Sequence, residues 1–95
     1  FIAALLIIAL FPVSSPVRAD GINWYSYDEG LSKAKSEGKP VFIDFWSSSC
    51  GPCVQMKQEV YPDEQVIQKS KEFINIKINV YEDTDIAKEY NIKLI

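Results

Sequence analysis

The sequence predicts an α/β layered domain with a central sheet flanked by helices. Three observations carry this. Val41–Trp46 (VFIDFW) is a run of β-branched and aromatic residues broken only by Asp44, and residues 73–80 (FINIKINV) alternate apolar and polar positions. The segments around these two strands repeat apolar residues at spacings of three and four, as helices do. The 95 residues are 47% hydrophobic and 24% charged, too apolar for disorder and enough for one small domain. With 10 Lys and Arg against 13 Asp and Glu the net charge is -3, which argues against nucleic acid as a partner.

The two ends of the chain differ. Residues 1–13 (FIAALLIIALFPV) contain no charge, whereas every acidic residue lies at or beyond Asp20. The run is shorter than the roughly 20 residues a helix needs to cross a bilayer, and Pro12, Ser14, Ser15 and Pro16 close it off. Small residues Val17 and Ala19 flank Arg18, so residues 1–19 read as a signal peptide cleaved before Asp20. The chain starts at Phe1 rather than Met, and the expectation is that a basic leader lies upstream. A buried core helix or an uncleaved anchor are the alternatives. Export implies a disulfide-permissive compartment, with a bacterial periplasm as the expected address. The expected organisation is a signal peptide at 1–19, truncated at its start, and one domain at 20–95 that behaves as a monomer.

Residues 20–27 form an extended or irregular lead-in in which Trp24 and Tyr25 pack. Ser26 and Glu29 have capping-box spacing, so a helix starts there, buries Leu31 and Ala34, and ends at Gly38. Val41–Trp46 follows as a strand covered on both faces, which buries Asp44. After the polar turn at 47–49, residues 50–59 have helical character with Cys53, Met56 and Val60 on one face, and Pro52 suits the first turn. Pro62 stops that helix and opens another, with Asp63 and Glu64 in its first turn and Val66 and Ile67 packed. In strand 73–80, Ile74, Ile76, Ile78 and Val80 share one face, and Asn75, Lys77 and Asn79 the other. Asp83 or Thr84 caps a short helix carrying Ile86, Ala87 and Tyr90, Asn91 ends it, and residues 92–95 begin another extended segment.

Cys50-Gly51-Pro52-Cys53 uses every cysteine of the chain and lies between a predicted strand and a predicted helix. Backbone N–H groups at a helix start stabilise a thiolate, which makes Cys50 the attacking sulfur. Cys53, one turn on, then resolves the mixed disulfide. A structural zinc site takes four ligands, and the chain offers two Cys and no His, so zinc needs a second subunit. A purely structural disulfide closing so small a loop removes little chain entropy. Asp44 stands six residues before Cys50, and a carboxylate in an apolar strand is paired, protonated or functional. It reads as the proton acceptor for Cys53, or as a buried Asp satisfied by Lys77 or by backbone donors. Trp46 reads equally as a core aromatic or as a substrate contact.

Residues 41–53 (VFIDFWSSSCGPC), with Asp44, Trp46 and the Cys-Gly-Pro-Cys motif in this order, resemble the thioredoxin family. The likeness extends to Lys77 and Asn79 and to Tyr90-Asn91-Ile92. Trp24, Lys39-Pro40-Val41 and Val60-Tyr61-Pro62 are more similar to exported members such as the C-terminal domain of the periplasmic disulfide reductase. The resemblance implies a thioredoxin-like fold with a central mixed sheet and a thiol:disulfide oxidoreductase. Cys50, Cys53, Asp44 and Lys77 are then its catalytic residues, with Trp46, Gly51 and Pro52 in the active-site loop. It implies no cofactor beyond the redox-active Cys50–Cys53 disulfide, protein thiols and disulfides as substrates, and an upstream electron donor. The Gly51-Pro52 pair resembles the reducing members. Ser49 replaces a Trp common in thioredoxins, and the family's facing cis-proline, further strands and last helix are expected beyond Ile95, which makes the chain a fragment. The rival class is a non-catalytic thioredoxin-like binding module.

Overall fold

A computed structural model describes residues 21–93 and 95. The expected signal peptide and its cleavage point lie outside these residues. Three strands, β1 (Trp24–Tyr25), β2 (Val41–Trp46) and β3 (Ile74–Asn79), form a sheet in the order β1-β3-β2, and both pairings are parallel. Helix α1 (Tyr27–Glu37) connects β1 to β2. The longer connection from β2 to β3 holds α2 (Gly51–Gln55), a π-helical turn (Met56–Val60) and α3 (Glu64–Ser70), and α4 (Thr84–Glu89) follows β3.

Local chemistry explains the boundaries. Ser26 Oγ accepts the Glu29 N–H at 3.4 Å to start α1, and Gly38 ends it in the left-handed region (φ 67°), donating to Ala34 O. Asp63 is the N-cap of α3 rather than part of its first turn, because its carboxylate accepts from Gln65 and Val66 N–H. Asn91 (φ 59°) ends the last helix. Residues 50–59 do not make one uniform helix: the bond from Tyr61 N–H to Met56 O spans five residues, so the second half is π-helical. Ile92, Lys93 and Ile95 take no strand conformation.

Central strand β3 organises the core. Ile74, Ile76, Ile78 and the following Val80 are at most 3% exposed. α1 covers this face and packs so closely that a Cβ on Gly30 would collide with the Ile76 side chain. α1 therefore buries Gly30 and Ala34, while Leu31, expected inside, is exposed. Tyr90 packs on Phe45 with centroids 5.4 Å apart, and its hydroxyl meets that of Tyr27 at 2.9 Å, joining α1 to the end of α4. That bond is the main reason the Tyr27 phenol is pushed up to about 12.

The opposite face is not the solvent face that a strict alternation implies. Asn75 is buried and donates to Ser70 O at 2.9 Å, tying the end of α3 to the sheet. Coverage here is less complete than expected, since Phe42 is exposed and Asp44 only half-buried.

Gly30→Val destabilises the domain by about 2 kcal/mol, because overpacking against a fully buried side chain outweighs any gain in helix propensity. Urea unfolding midpoints of the two proteins measure it.

Candidate functional site

The site stands where β2 ends. Parallel pairing sets Asp44 opposite Lys77 and Trp46 opposite Asn79, so these side chains share one face of the sheet, and Val80 N–H bonds Trp46 O at 3.0 Å to extend the ladder. The chain then turns through residues 47–49, where Cys50 N–H reaches Ser47 O at 3.3 Å.

Cys50 and Cys53 form a disulfide with Cα atoms 5.2 Å apart. Cys50 is the N-cap of α2 in extended conformation and Pro52 occupies the first helical turn. The Cys53 N–H points at Cys50 Sγ, 3.2 Å away. That donor stabilises negative charge on the Cys50 sulfur when the bond is open. Cys53 Sγ lies inward, 3.9 Å from Phe45 O. Both cysteines are half-buried, whereas Gly51 and Pro52 are exposed.

A recess of about 320 Å³ opens beside the disulfide, lined by Asp44, Trp46, Cys53, Lys57, Gln58 and Lys77. It brings together the predicted catalytic residues other than Cys50. Lys77 does not form an ion pair with Asp44. Its ammonium lies over two indole rings, 5.1 Å from the centroid of Trp24 and 5.4 Å from that of Trp46. Trp46 is thus both a packed aromatic and a wall of the recess. A larger cleft of about 560 Å³, lined by Phe42, Val60, Val66 and Phe73 among others, contains neither cysteine.

Two features escaped sequence reading. Ser47 is 1% exposed and donates to Ile95 O at 2.7 Å. The hydroxyls of Ser49 and Tyr81 reach the same carbonyl, each at 3.3 Å, so three hydroxyls hold residue 95 against the active-site turn. The second is Tyr61, buried against Trp24 with centroids 5.1 Å apart. Burial first, then the Asp44 charge, holds its phenol far above the ordinary tyrosine range. No helical or strand periodicity marks either residue; only Pro62, which fixes the end of the turn, points to Tyr61.

The fold and the closed dithiol define a thioredoxin-like domain. The solution structure of a thioredoxin from Thermus thermophilus superimposes with a TM-score of 0.70 and 29% identity, covering 77% of this chain and 58% of that one. Over residues 13–94 the sequence matches the Thioredox_DsbH family, described as protein of unknown function, DUF255, and the chain belongs to that family. Spermatogenesis-associated protein 20 of Homo sapiens is 31% identical over 71 residues, 73% of this chain and 9% of that protein. Thiol:disulfide interchange protein DsbD of Campylobacter jejuni is 30% identical over 76 residues, 72% of this chain and 13% of that protein. Thioredoxin 1 of Synechococcus elongatus is 38% identical over 56 residues, 59% of this chain. The chain spans half the length of that thioredoxin and a small part of the other two. Among the described residues no helix is long and apolar enough to cross a membrane.

The raised Tyr61 phenol sets a pH dependence. A tyrosine whose folded-state pKa lies above its unfolded value contributes stability that is fully present below about pH 10 and is lost as pH climbs above it. The parent protein therefore loses stability between about pH 9 and pH 11, and Tyr61→Phe loses less over the same interval. Denaturant midpoints at the two pH values test this.

Proposed function

We propose that this protein reduces protein disulfides in an exported compartment. The observation that carries the reading is the Cys50–Cys53 pair closed at the start of a helix, with a backbone donor on Cys50 and a carboxylate in the recess behind Cys53. In the reduced protein the Cys50 thiolate attacks a substrate disulfide. A bond forms between Cys50 and one substrate sulfur, and the other sulfur leaves as a thiolate that takes up a proton. Cys53 gives its proton to Asp44 and attacks Cys50 Sγ. The mixed disulfide breaks, the second substrate sulfur leaves as a thiolate that takes up the proton held by Asp44, and the substrate departs as a dithiol with two electrons passed to it from the protein. A thiol donor upstream restores the Cys50–Cys53 dithiol.

Asp44 is the proton acceptor, and Lys77 adds positive charge to the recess beside the resolving thiol. Trp46 shapes the entrance, and Gly51 and Pro52 leave the Cys50 sulfur open to a docking polypeptide. No cofactor beyond the disulfide enters the cycle, and a monomer suffices for it. The apolar segment at 1–13 supports export, the likeness to a thiol:disulfide interchange protein supports thiol:disulfide exchange, and the Gly51-Pro52 pair supports the reducing direction.

Cys50→Ser abolishes reduction of insulin disulfides, measured as precipitation of the freed chains with dithiothreitol as donor; turnover at the parent rate would overturn the mechanism. In Cys53→Ala, Cys50 is alkylated by iodoacetamide with a midpoint below the roughly 8.5 of a free thiol. A midpoint at or above that value favours a binding module instead.

A further inference from the structure

Lys77 has three side chains beside it on the redox face and lies over two of them. Parallel pairing puts Asp44 directly opposite it, and Trp46 two residues further along the same strand, opposite Asn79. On the other flank β1 pairs Trp24 with Asn75. Side chains alternate along β3, so Asn75, Lys77 and Asn79 share a face, and Trp24 and Trp46 stand on the two diagonals of Lys77, one on each neighbouring strand. The ammonium is 5.1 Å from the first ring centroid and 5.4 Å from the second. Among the described residues it forms no ion pair with Asp44.

Trp24 is itself held in place. Its ring meets Tyr61 edge-on with centroids 5.1 Å apart and Phe42 at 6.3 Å, and Tyr61 is 9% exposed. A cation over an indole gains from the negative face of the ring, so two rings compete with one carboxylate for a single ammonium. The outcome bears on the chemistry, because an ion pair with Lys77 would stabilise the Asp44 carboxylate and weaken it as a base. The titratable and charged groups that face Asp44 are Cys53 from α2, Lys57 from the π turn and Lys77 from β3, all in one recess, and Tyr61, whose phenol registers the Asp44 charge.

We propose that Trp24 is a positioning residue for the thiol:disulfide reaction: together with Trp46 it holds the Lys77 ammonium off Asp44, which leaves that carboxylate unpaired to take the proton of Cys53. This rests on the reading of Asp44 as proton acceptor. In the step it serves, the Cys53 S–H proton moves to a carboxylate oxygen of Asp44. The sulfur electron pair forms the bond to Cys50 Sγ, and the bond from Cys50 to the substrate sulfur breaks, its pair leaving with that sulfur. Without the Trp24 ring, Lys77 turns to the carboxylate opposite it, and the acceptor becomes a weaker base that stays ionised to lower pH.

The test is the stopped-flow reaction of the reduced full-length protein with one equivalent of 5,5′-dithiobis(2-nitrobenzoate). Attack by Cys50 releases one thionitrobenzoate, and resolution by Cys53 releases the second. In Trp24→Leu the ratio of second-phase to first-phase rate falls about fivefold at pH 7, the scale of one partly desolvated cation–π contact, and the acid limb of its pH profile moves to lower pH. Trp24→Phe, which keeps an aromatic ring against Tyr61 and Phe42, shows the same change to a smaller degree. In a Lys77→Met background Trp24→Leu causes no further change, whereas a merely structural role slows both backgrounds alike and overturns the proposal. If Asp44→Asn slows the second phase and Trp24→Leu does not, the role of Trp24 falls and the reading of Asp44 stands. If Asp44→Asn leaves that phase unchanged, the reading of Asp44 falls and the proposal with it. A second measurement leaves Trp24 in place: in protein carrying isotope-labelled lysine, the indole ring currents move the Lys77 ε-methylene proton resonances upfield of those of the other lysines. Lys77 resonances that coincide with the others overturn the proposal.

Discussion

The pairing of β2 with β3 is the constraint on which the rest of the molecule depends. Because side chains alternate along a strand, one register puts Asp44, Trp46 and Lys77 on the same face and the row of buried isoleucines on the other. A slip of one residue would turn Asp44 into the isoleucine layer under α1 and carry the isoleucines to the redox face. The same register determines where β2 ends, and so where Cys50 begins its helix. Ile76, buried at the centre of β3, and Gly30, which lets α1 sit directly on it, keep the sheet from sliding.

Around this scaffold the redox face is assembled from polar groups that satisfy one another at short range. Cys53 N–H serves Cys50 Sγ, the Ser47, Ser49 and Tyr81 hydroxyls serve Ile95 O, and two tryptophans hold Lys77. Partly desolvated charge tolerates few unpaired partners. Lys77 illustrates the point: its charge is met by aromatic faces.

Relationship to thioredoxins and to a thiol:disulfide interchange protein agrees with the geometry of the dithiol, while the family itself carries no assigned function. The chemistry proposed for this chain therefore rests on its own residues. Nucleophile and resolving thiol come from one loop and the acceptor from the preceding strand.

Much of the domain was legible in the chain. The alternation of residues 73–80, the capping pair Ser26 and Glu29, the stop at Gly38 and the position of Cys50-Gly51-Pro52-Cys53 after a strand are local signals that depend on neighbours a few residues apart. They determined the strands, the first helix and the dithiol. Other features were decided only when distant segments met. Leu31 is exposed because α1 approaches through glycine, Lys77 lies over two tryptophans rather than pairing with Asp44, and residues 56–60 widen into a π turn. Each is a contest between packing partners far apart in sequence, settled by the distances of closest approach across the sheet, and periodicity along a single segment contains no information about those distances.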